Sequence, residues 1–366
     1  MAKVWRMEKG VEEGMRELLR FLLRSHKVQG VISLLKLPDG GVAYALITDQ
    51  ATVQDAVPLY PLMPTNAATV LSRITLLGSP QEPLAAVLRP CELRAFVELV
   101  KRKQGSVENF LFISSTCGGV YPLKLAAQGR VKEADYWIAV RQGEIPAGIR
   151  PTCRGCNQFL PYNADITVKL AGNRELNKRC DLILNTEKGE EFLSGLEGEI
   201  HDEEAPGEEV KLLLQKRGEA KKELYEELKS EELGLSGLVD IFGRCLNCHA
   251  CGNACPLCYC ELCDFDSRDY EYDPSTYLAQ LAERGGIKVP PNSLIYQLGR
   301  LTHMGISCVG CGMCTDVCPA AIPVGSIFYR VGEQVQARFD YVPGRDLAED
   351  VPLTVFKEKE FQEVGR

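Results

Sequence analysis

Two cysteine runs of identical spacing constrain this chain more than any other feature. Cys245, Cys248, Cys251 and Cys255 are separated by two, two and three residues and followed by Pro256; Cys308, Cys311, Cys314 and Cys318 repeat the spacing up to Pro319. Three thiolates two residues apart can wrap one face of an iron–sulfur cube on a short loop. The fourth, displaced by a helix-starting turn, reaches a second cube. The predicted ligand sets are therefore crossed: Cys245, Cys248, Cys251 and Cys318 for one 4Fe-4S cluster, and Cys308, Cys311, Cys314 and Cys255 for the other. Gly252, Gly310 and Gly312 would let the backbone pass close to inorganic sulfide and aim N–H groups at it. Zinc also accepts four thiolates, but its sites pair two-residue knuckles and do not fill a three-plus-one spacing twice.

This is the spacing of bacterial ferredoxins, set in a much longer chain. At 366 residues there is room for two or three domains. Fifty-two residues separate Cys255 from Cys308, so an insertion stands between the half-motifs, with helices predicted over Ser275 to Glu283 and Ser293 to Thr302. A net charge of −8, with no basic, aromatic-interleaved stripe, argues against nucleic acid or anionic lipid as partner. No apolar run approaches the roughly 20 residues of a membrane span, and the amino terminus does not read as a secretory signal. The expectation is a cytoplasmic protein with no transmembrane segment, whose sixteen cysteines serve metal ligation or redox chemistry. His26, His201, His249 and His303 are not spaced for a hydrolytic triad.

Ahead of the runs, helical periodicity covers residues 11–24, and Val28 to Leu37 and Val42 to Thr48 read as a hairpin around Pro38-Asp39-Gly40-Gly41. Leu84 to Leu88 reads as a strand, Cys91 to Lys103 as a helix and Asn109 to Ser114 as a strand, the alternation of an α/β layer. The predicted organisation is an α/β (or α+β) domain over 1–186, a charged, solvated helical linker over 187–240, a two-cluster ferredoxin-like domain with its insertion over 241–340, and a tail over 341–366.

Four more cysteines occupy short contexts: Arg89-Pro90-Cys91-Glu92-Leu93-Arg94-Ala95, Ser115-Thr116-Cys117-Gly118-Gly119, and Cys153-Arg154-Gly155-Cys156 followed by Asn163-Ala164-Asp165-Ile166. By spacing alone these are one two-residue knuckle and two distant cysteines, for which buried free thiols are the competing reading. In these contexts and their order the chain resembles the coenzyme F-420 (deazaflavin) hydrogenase/dehydrogenase beta-subunit family over about residues 27–185. The resemblance implies a third 4Fe-4S cluster on Cys91, Cys117, Cys153 and Cys156, beside a flavin such as FAD. The turn at Arg89 and the pair Gly118-Gly119 are the places where a flavin pyrophosphate would be sought. Members that reduce the deazaflavin carry a Gly-Gly element near the amino terminus, whereas residues 10–24 here open Gly-Val-Glu-Glu-Gly-Met. The chain therefore looks more like the formate dehydrogenase beta-subunit branch, or relatives in heterodisulfide-reductase-type complexes.

The expected function is an electron-transfer subunit of an oxidoreductase complex, working with a formate dehydrogenase, hydrogenase or heterodisulfide-reductase-type catalytic partner. The alternative is a passive ferredoxin-like carrier or scaffold without flavin of its own. Cys258, Cys260 and Cys263 crowd behind the first run without an obvious fourth ligand, and Cys180 could complete a site with them only if the two modules meet there.

Overall fold

The computed structural model of the chain describes residues 2–203, 207–228, 234–263, 265, 273–285 and 293–355. Eight strands form one mixed sheet: β1 (Ala2–Met7), β2 (Gly30–Lys36), β3 (Val42–Ile47), β4 (Leu84–Val87), β5 (Phe110–Ser115), β6 (Ile166–Val168), β7 (Cys180–Leu184) and β8 (Glu199–Glu203). Their order is β3-β2-β4-β5-β6-β7-β1-β8. The central β2-β4-β5-β6 block is parallel, and antiparallel pairs close both sides. A parallel strand is buried on both faces and reads as a continuous apolar run. In β4 and β5, Ala85, Val87, Leu111 and Ile113 pack to one side, and Leu84, Ala86, Phe110 and Phe112 to the other.

Helix α1 (Val11–Arg24) covers the first face with Met15, Leu18, Leu19 and Leu22, with Glu12 and Glu13 in its first turn and Arg24 in its last, as the helix dipole favours. Helices α2 (Ala67–Thr75) and α3 (Pro90–Lys101) cover the second. Glu92 joins them: one carboxylate oxygen accepts from the Arg89 N–H at 2.8 Å, the other from the Ala67 N–H at 3.1 Å. The hairpin between β2 and β3 turns where expected, with Gly41 N–H donating to Asp39.

Three short helices, α4 (Leu123–Ala127), α5 (Glu133–Gln142) and α6 (Pro151–Arg154), fill the crossover from β5 to β6, and α7 (Glu187–Leu193) lies between β7 and β8. Then come α8 (Glu208–Leu228), α9 (Gly234–Phe242), α10 (Ala250–Asn253), α11 (Pro274–Arg284), α12 (Ser293–Met304), α13 (Met313–Asp316) and α14 (Val324–Arg338). Both helices predicted in the insertion are present, as α11 and α12.

The charged segment departs from its reading as a solvated linker. Val210, Leu213, Arg217, Ala220 and Leu224 make one buried stripe along α8, at alternating three- and four-residue steps. An arginine within the stripe and glutamates around it hide that period. Glu231 and Glu232, part of the same segment, lie outside the described residues, as does the tail beyond residue 355.

The segment also holds β8, which pairs with β1 and is fixed by charge: Arg6 meets Asp181 at 2.7 Å and Glu203 at 2.5 Å, and Lys169 meets Glu203 at 2.5 Å. Burial would push the Glu203 carboxyl up, but Lys169 and Arg6 together hold it below the usual carboxylate range. Its stabilisation is thus present above the unfolded value of about 4.3 and lost as pH falls through the lower folded value. Glu203→Gln is expected to cost up to about 1 kcal/mol at neutral pH, a difference from wild type that closes in acid; paired denaturant melts across pH check this.

The cysteine-rich segment docks on the sheet's second face, where Leu257 and Val309 join the apolar cluster, and polar contacts add to it. Arg94 donates to Val309 O at 2.5 Å, Arg102 to Ser307 Oγ at 2.7 Å and Asn163 to Gly344 O at 2.8 Å. Among the described residues no helix is long and apolar enough to cross a membrane.

Candidate metal centres

The parallel strands β4 and β5 end side by side, and open sheets of this kind form a crevice beyond the carboxyl ends of their strands. Cys91 lies there in the first turn of α3, and Cys117 two residues past β5. The crossover brings in Cys153 from α6 and Cys156 just after it. Cys91 and Cys153 pack against one apolar cluster and Cys117 and Cys156 against another, and the Cys156 N–H donates to Cys153 O at 3.3 Å. Gly119 turns at φ +101, where a Cβ would come within 3.1 Å of the Cys153 side chain, and its N–H donates to Cys117 Sγ at 3.3 Å. Arg217 of α8 closes this site: it is 1% exposed, donates to Cys117 O at 2.9 Å and Cys156 O at 3.4 Å, and lies 4.5 Å over the Phe159 ring.

The two runs adopt one loop twice. The second and fourth residues after the first cysteine take positive φ in both: Asn247 (53°) and His249 (54°), Gly310 (71°) and Gly312 (75°). A short helix then starts five residues after that cysteine, α10 at Ala250 and α13 at Met313. Holding an asparagine and a histidine left-handed costs energy, yet the first loop keeps the backbone path that the second follows with two glycines. Cys255, Cys308, Cys311 and Cys314 line one cavity together with Arg300 and Phe328. Cys245 and Cys318 share an apolar cluster with Ile322 and Val324, and Cys245 and Cys251 both face the Gln297 amide. Cys248 is exposed.

The sets adjoin in a row. Cys91 and Cys311 pack against the apolar cluster of Met63, Val120 and Met313, and Cys314 shares a second cluster with Cys245. Burial pushes the Cys153 thiol up to about 12 and Cys308 to about 11, while Arg150 opposes the first shift, and Arg94 and Arg300 oppose the second. Iron needs the thiolates, and these cations favour them. Two further observations fit iron–sulfur clusters. The donor sets are all thiol, and the middle cysteines line one cavity. Buried Nε–H groups without an acceptor occur on Arg94, Arg217 and Arg300 near the cysteines, and also on Trp5 and Arg179 away from them. Among the described residues no group of three or more His, Cys, Asp or Glu side chains is arranged for a single metal ion.

The residues singled out for a flavin are engaged within the fold. The Arg89 guanidinium donates through Nη1 and Nη2 to Leu62 O (2.7 Å), Tyr60 O and Tyr44 Oη. A Cβ on Gly118 would meet Tyr136 Oη at 2.5 Å and one on Gly119 would meet Ile149 at 2.7 Å, so side chains already fill that space. Cys180 is buried in β7 against Gly14 of α1, within the sheet's apolar core rather than beside the trailing cysteines. Cys258 contacts Cys255 and Arg300, Cys260 is exposed and Cys263 half-buried.

No family model matches the chain. It is 27% identical to the F420-dependent formate dehydrogenase subunit beta of Methanocaldococcus jannaschii over 90% of both proteins. It is 28% identical to the F420-dependent formate dehydrogenase 1 subunit beta of Methanococcus maripaludis, over 93% of this chain and 92% of that one. The chain is a homologue of F420-dependent formate dehydrogenase beta subunits. It is accordingly an oxidoreductase subunit. A shorter match, 34% over 97 residues, reaches the sulfhydrogenase 2 subunit beta of Pyrococcus furiosus. A chain of the F420-reducing hydrogenase complex of Methanosarcina barkeri superposes with a TM-score of 0.44 at 14% identity, over 64% of this chain and 94% of that one. In this homologue of the beta subunits, the residues that sequence reasoning missed are the buried cations Arg94, Arg150, Arg217 and Arg300. Only Arg217 left a signal, as the charged member of an otherwise apolar stripe.

Proposed function

We propose that this chain relays electrons within a cytoplasmic formate dehydrogenase-type complex, through three 4Fe-4S clusters held by Cys91, Cys117, Cys153 and Cys156, by Cys255, Cys308, Cys311 and Cys314, and by Cys245, Cys248, Cys251 and Cys318. The observation that carries this reading is the contiguity of the three sets: Cys91, Cys153 and Cys311 pack against one apolar cluster of Met63, Val120 and Met313, and Cys245, Cys308, Cys314 and Cys318 share another. Bound there, each cluster takes and gives one electron at a time. The chain's own part is to hold thiolates and set buried guanidinium groups against their charge. At the outer end, exposed Cys248 and Leu246 offer the face for a redox partner. Residues 241–340 act on this reading as a two-cluster ferredoxin-like module docked on the α/β domain, and the partner is a catalytic subunit.

A second reading, a relay with no flavin of its own, is favoured by the packing around Arg89, Gly118 and Gly119. Anaerobic reconstitution of the full chain is expected to give about twelve iron atoms per chain with four-iron signals in electron paramagnetic resonance. About eight irons would remove the amino-terminal site, and none would sink the reading. Bound flavin, with dye reduction from reduced deazaflavin or NADH by the isolated chain, would overturn the flavin-free reading.

A further inference from the structure

The insertion between the two cysteine runs is long for a loop whose only task is to connect them. Its helix α12 places Gln297 and Arg300, one turn apart on the same face, against the outer cysteine set. Arg300 is 4% exposed; Nη1 donates to Cys251 Sγ and Nη2 to Cys251 O, both at 3.0 Å. Gln297, 2% exposed, directs its amide Nε2 to Cys251 Sγ at 3.5 Å and Cys245 Sγ at 3.7 Å. Arg300 Nη1 also donates to Gln297 Oε1 at 3.2 Å, so the amide oxygen is engaged and its NH2 is turned to the sulfurs.

Packing fixes the pair. The guanidinium lies 5.0 Å from the Phe328 ring centre and 5.5 Å from that of Tyr296, while Tyr296 stacks on His249 of the first loop at 4.0 Å. Arg300 also lines the cavity of the middle set, so its charge lies between two of the three cysteine sets. A buried cation needs partners, and this one donates to the sulfur and carbonyl oxygen of Cys251 and to the amide oxygen of Gln297.

We infer that α12 is a potential-setting element: Gln297 and Arg300 are positioning residues that donate to ligand sulfurs and raise the reduction potentials of the outer and middle clusters. The inference rests on the three-cluster reading. Each electron added to a cluster adds negative charge, and hydrogen bonds to sulfur and a nearby cation stabilise that reduced state. The effect grows in a site shielded from water. Potentials set in this way would make the pair of clusters easier to reduce than the same cysteine loops without the insertion.

The test is a potentiometric titration of the reconstituted full chain, followed by electron paramagnetic resonance, for wild type, Arg300→Gln and Gln297→Met. Arg300→Gln is expected to shift the reduced-to-oxidised ratio of at least one of these clusters about tenfold towards oxidised at a given potential, which is 59 mV for one electron. Gln297→Met, nearly isosteric, should shift one cluster in the same direction by less, and the cluster at Cys117 should titrate as in wild type in both. Unchanged midpoints in variants with full iron would overturn the inference. So would loss of iron in Arg300→Gln accompanied by a wild-type titration of iron-replete Gln297→Met, because α12 would then be packing alone. A wild-type chain without four-iron signals would instead overturn the cluster reading, and this inference with it.

Discussion

Arg150→Met is expected to destabilise the chain by about 3–5 kcal/mol. Arg150 is 1% exposed and the Asp316 side chain 4%. They meet at 2.6 Å through Nη2 and at 2.7 Å through Nε, and the remaining guanidinium donors go to Cys311 O at 3.0 Å and Met63 O at 3.1 Å. Arg150 caps the helix that carries Cys153, and Asp316 ends the helix that carries Cys314, so the pair fastens one cysteine-bearing loop to another. Removing the arginine leaves a buried carboxylate with the Leu123 N–H, at 3.0 Å, as its other partner. That uncompensated charge, more than the lost attraction, sets the size of the effect. Arg150→Met combined with Asp316→Leu should therefore recover most of the loss. Denaturant midpoints of wild type, both single variants and the double variant, at matched iron content, measure the coupling. A single-variant loss below about 1 kcal/mol, the scale of an exposed pair, would contradict this account.

The same buried pair marks where the sequence became hard to read. Of the parallel strands, β2, β4 and β5 were legible because burial on both faces makes them apolar, as in Leu84 to Val87 and Phe110 to Phe112, whereas the three residues of β6 were too few to read. The edges were not. β8 reads Glu-Ile-His-Asp-Glu, a composition that no strand propensity favours, and it is a strand because Arg6 and Lys169 from neighbouring strands supply its counter-charges. β1 escaped notice because its partners, β7 and β8, lie about 180 residues or more away along the chain. Tertiary pairing overrode local preference in both.

The candidate sites divide in the same way. Ligand spacing is local, since a loop that wraps a cube must return a thiol every third residue, so the two runs could be read at once. The cations against those thiols come from α3, α6, α8 and α12, each brought in by packing between distant segments. Nothing in the sequence around Arg150 or Arg300 distinguishes a guanidinium that reaches a cysteine loop from one on the surface. The surroundings of the glycine pair were hidden for a related reason: a helix start and two glycines suggest an open anion site, but Tyr136 and Ile149 pack against Gly118 and Gly119 from elsewhere in the fold.

Cysteine substitutions should separate ligand from core with the largest contrast of all. Cys117→Ser is expected to lower reconstituted iron from about twelve atoms per chain to about eight, because a serine hydroxyl at neutral pH is a proton-bearing, harder donor that does not replace a thiolate. Cys180→Ala should leave all the iron in place. Cys180 is fully buried, pairs across to Met7 and faces Gly14 so closely that a Cβ there would lie 2.4 Å from its own. Its burial pushes the thiol far above the ordinary value, which keeps it protonated and apolar in behaviour. Losing one sulfur from that contact should cost about 1 kcal/mol, as for a small core truncation, and show as a modest drop in the unfolding midpoint. Iron analysis and denaturant unfolding on the same preparations decide it. Iron lost from Cys180→Ala, or a full complement retained by Cys117→Ser, would reverse the assignment of the two residues and take the amino-terminal end of the relay with it.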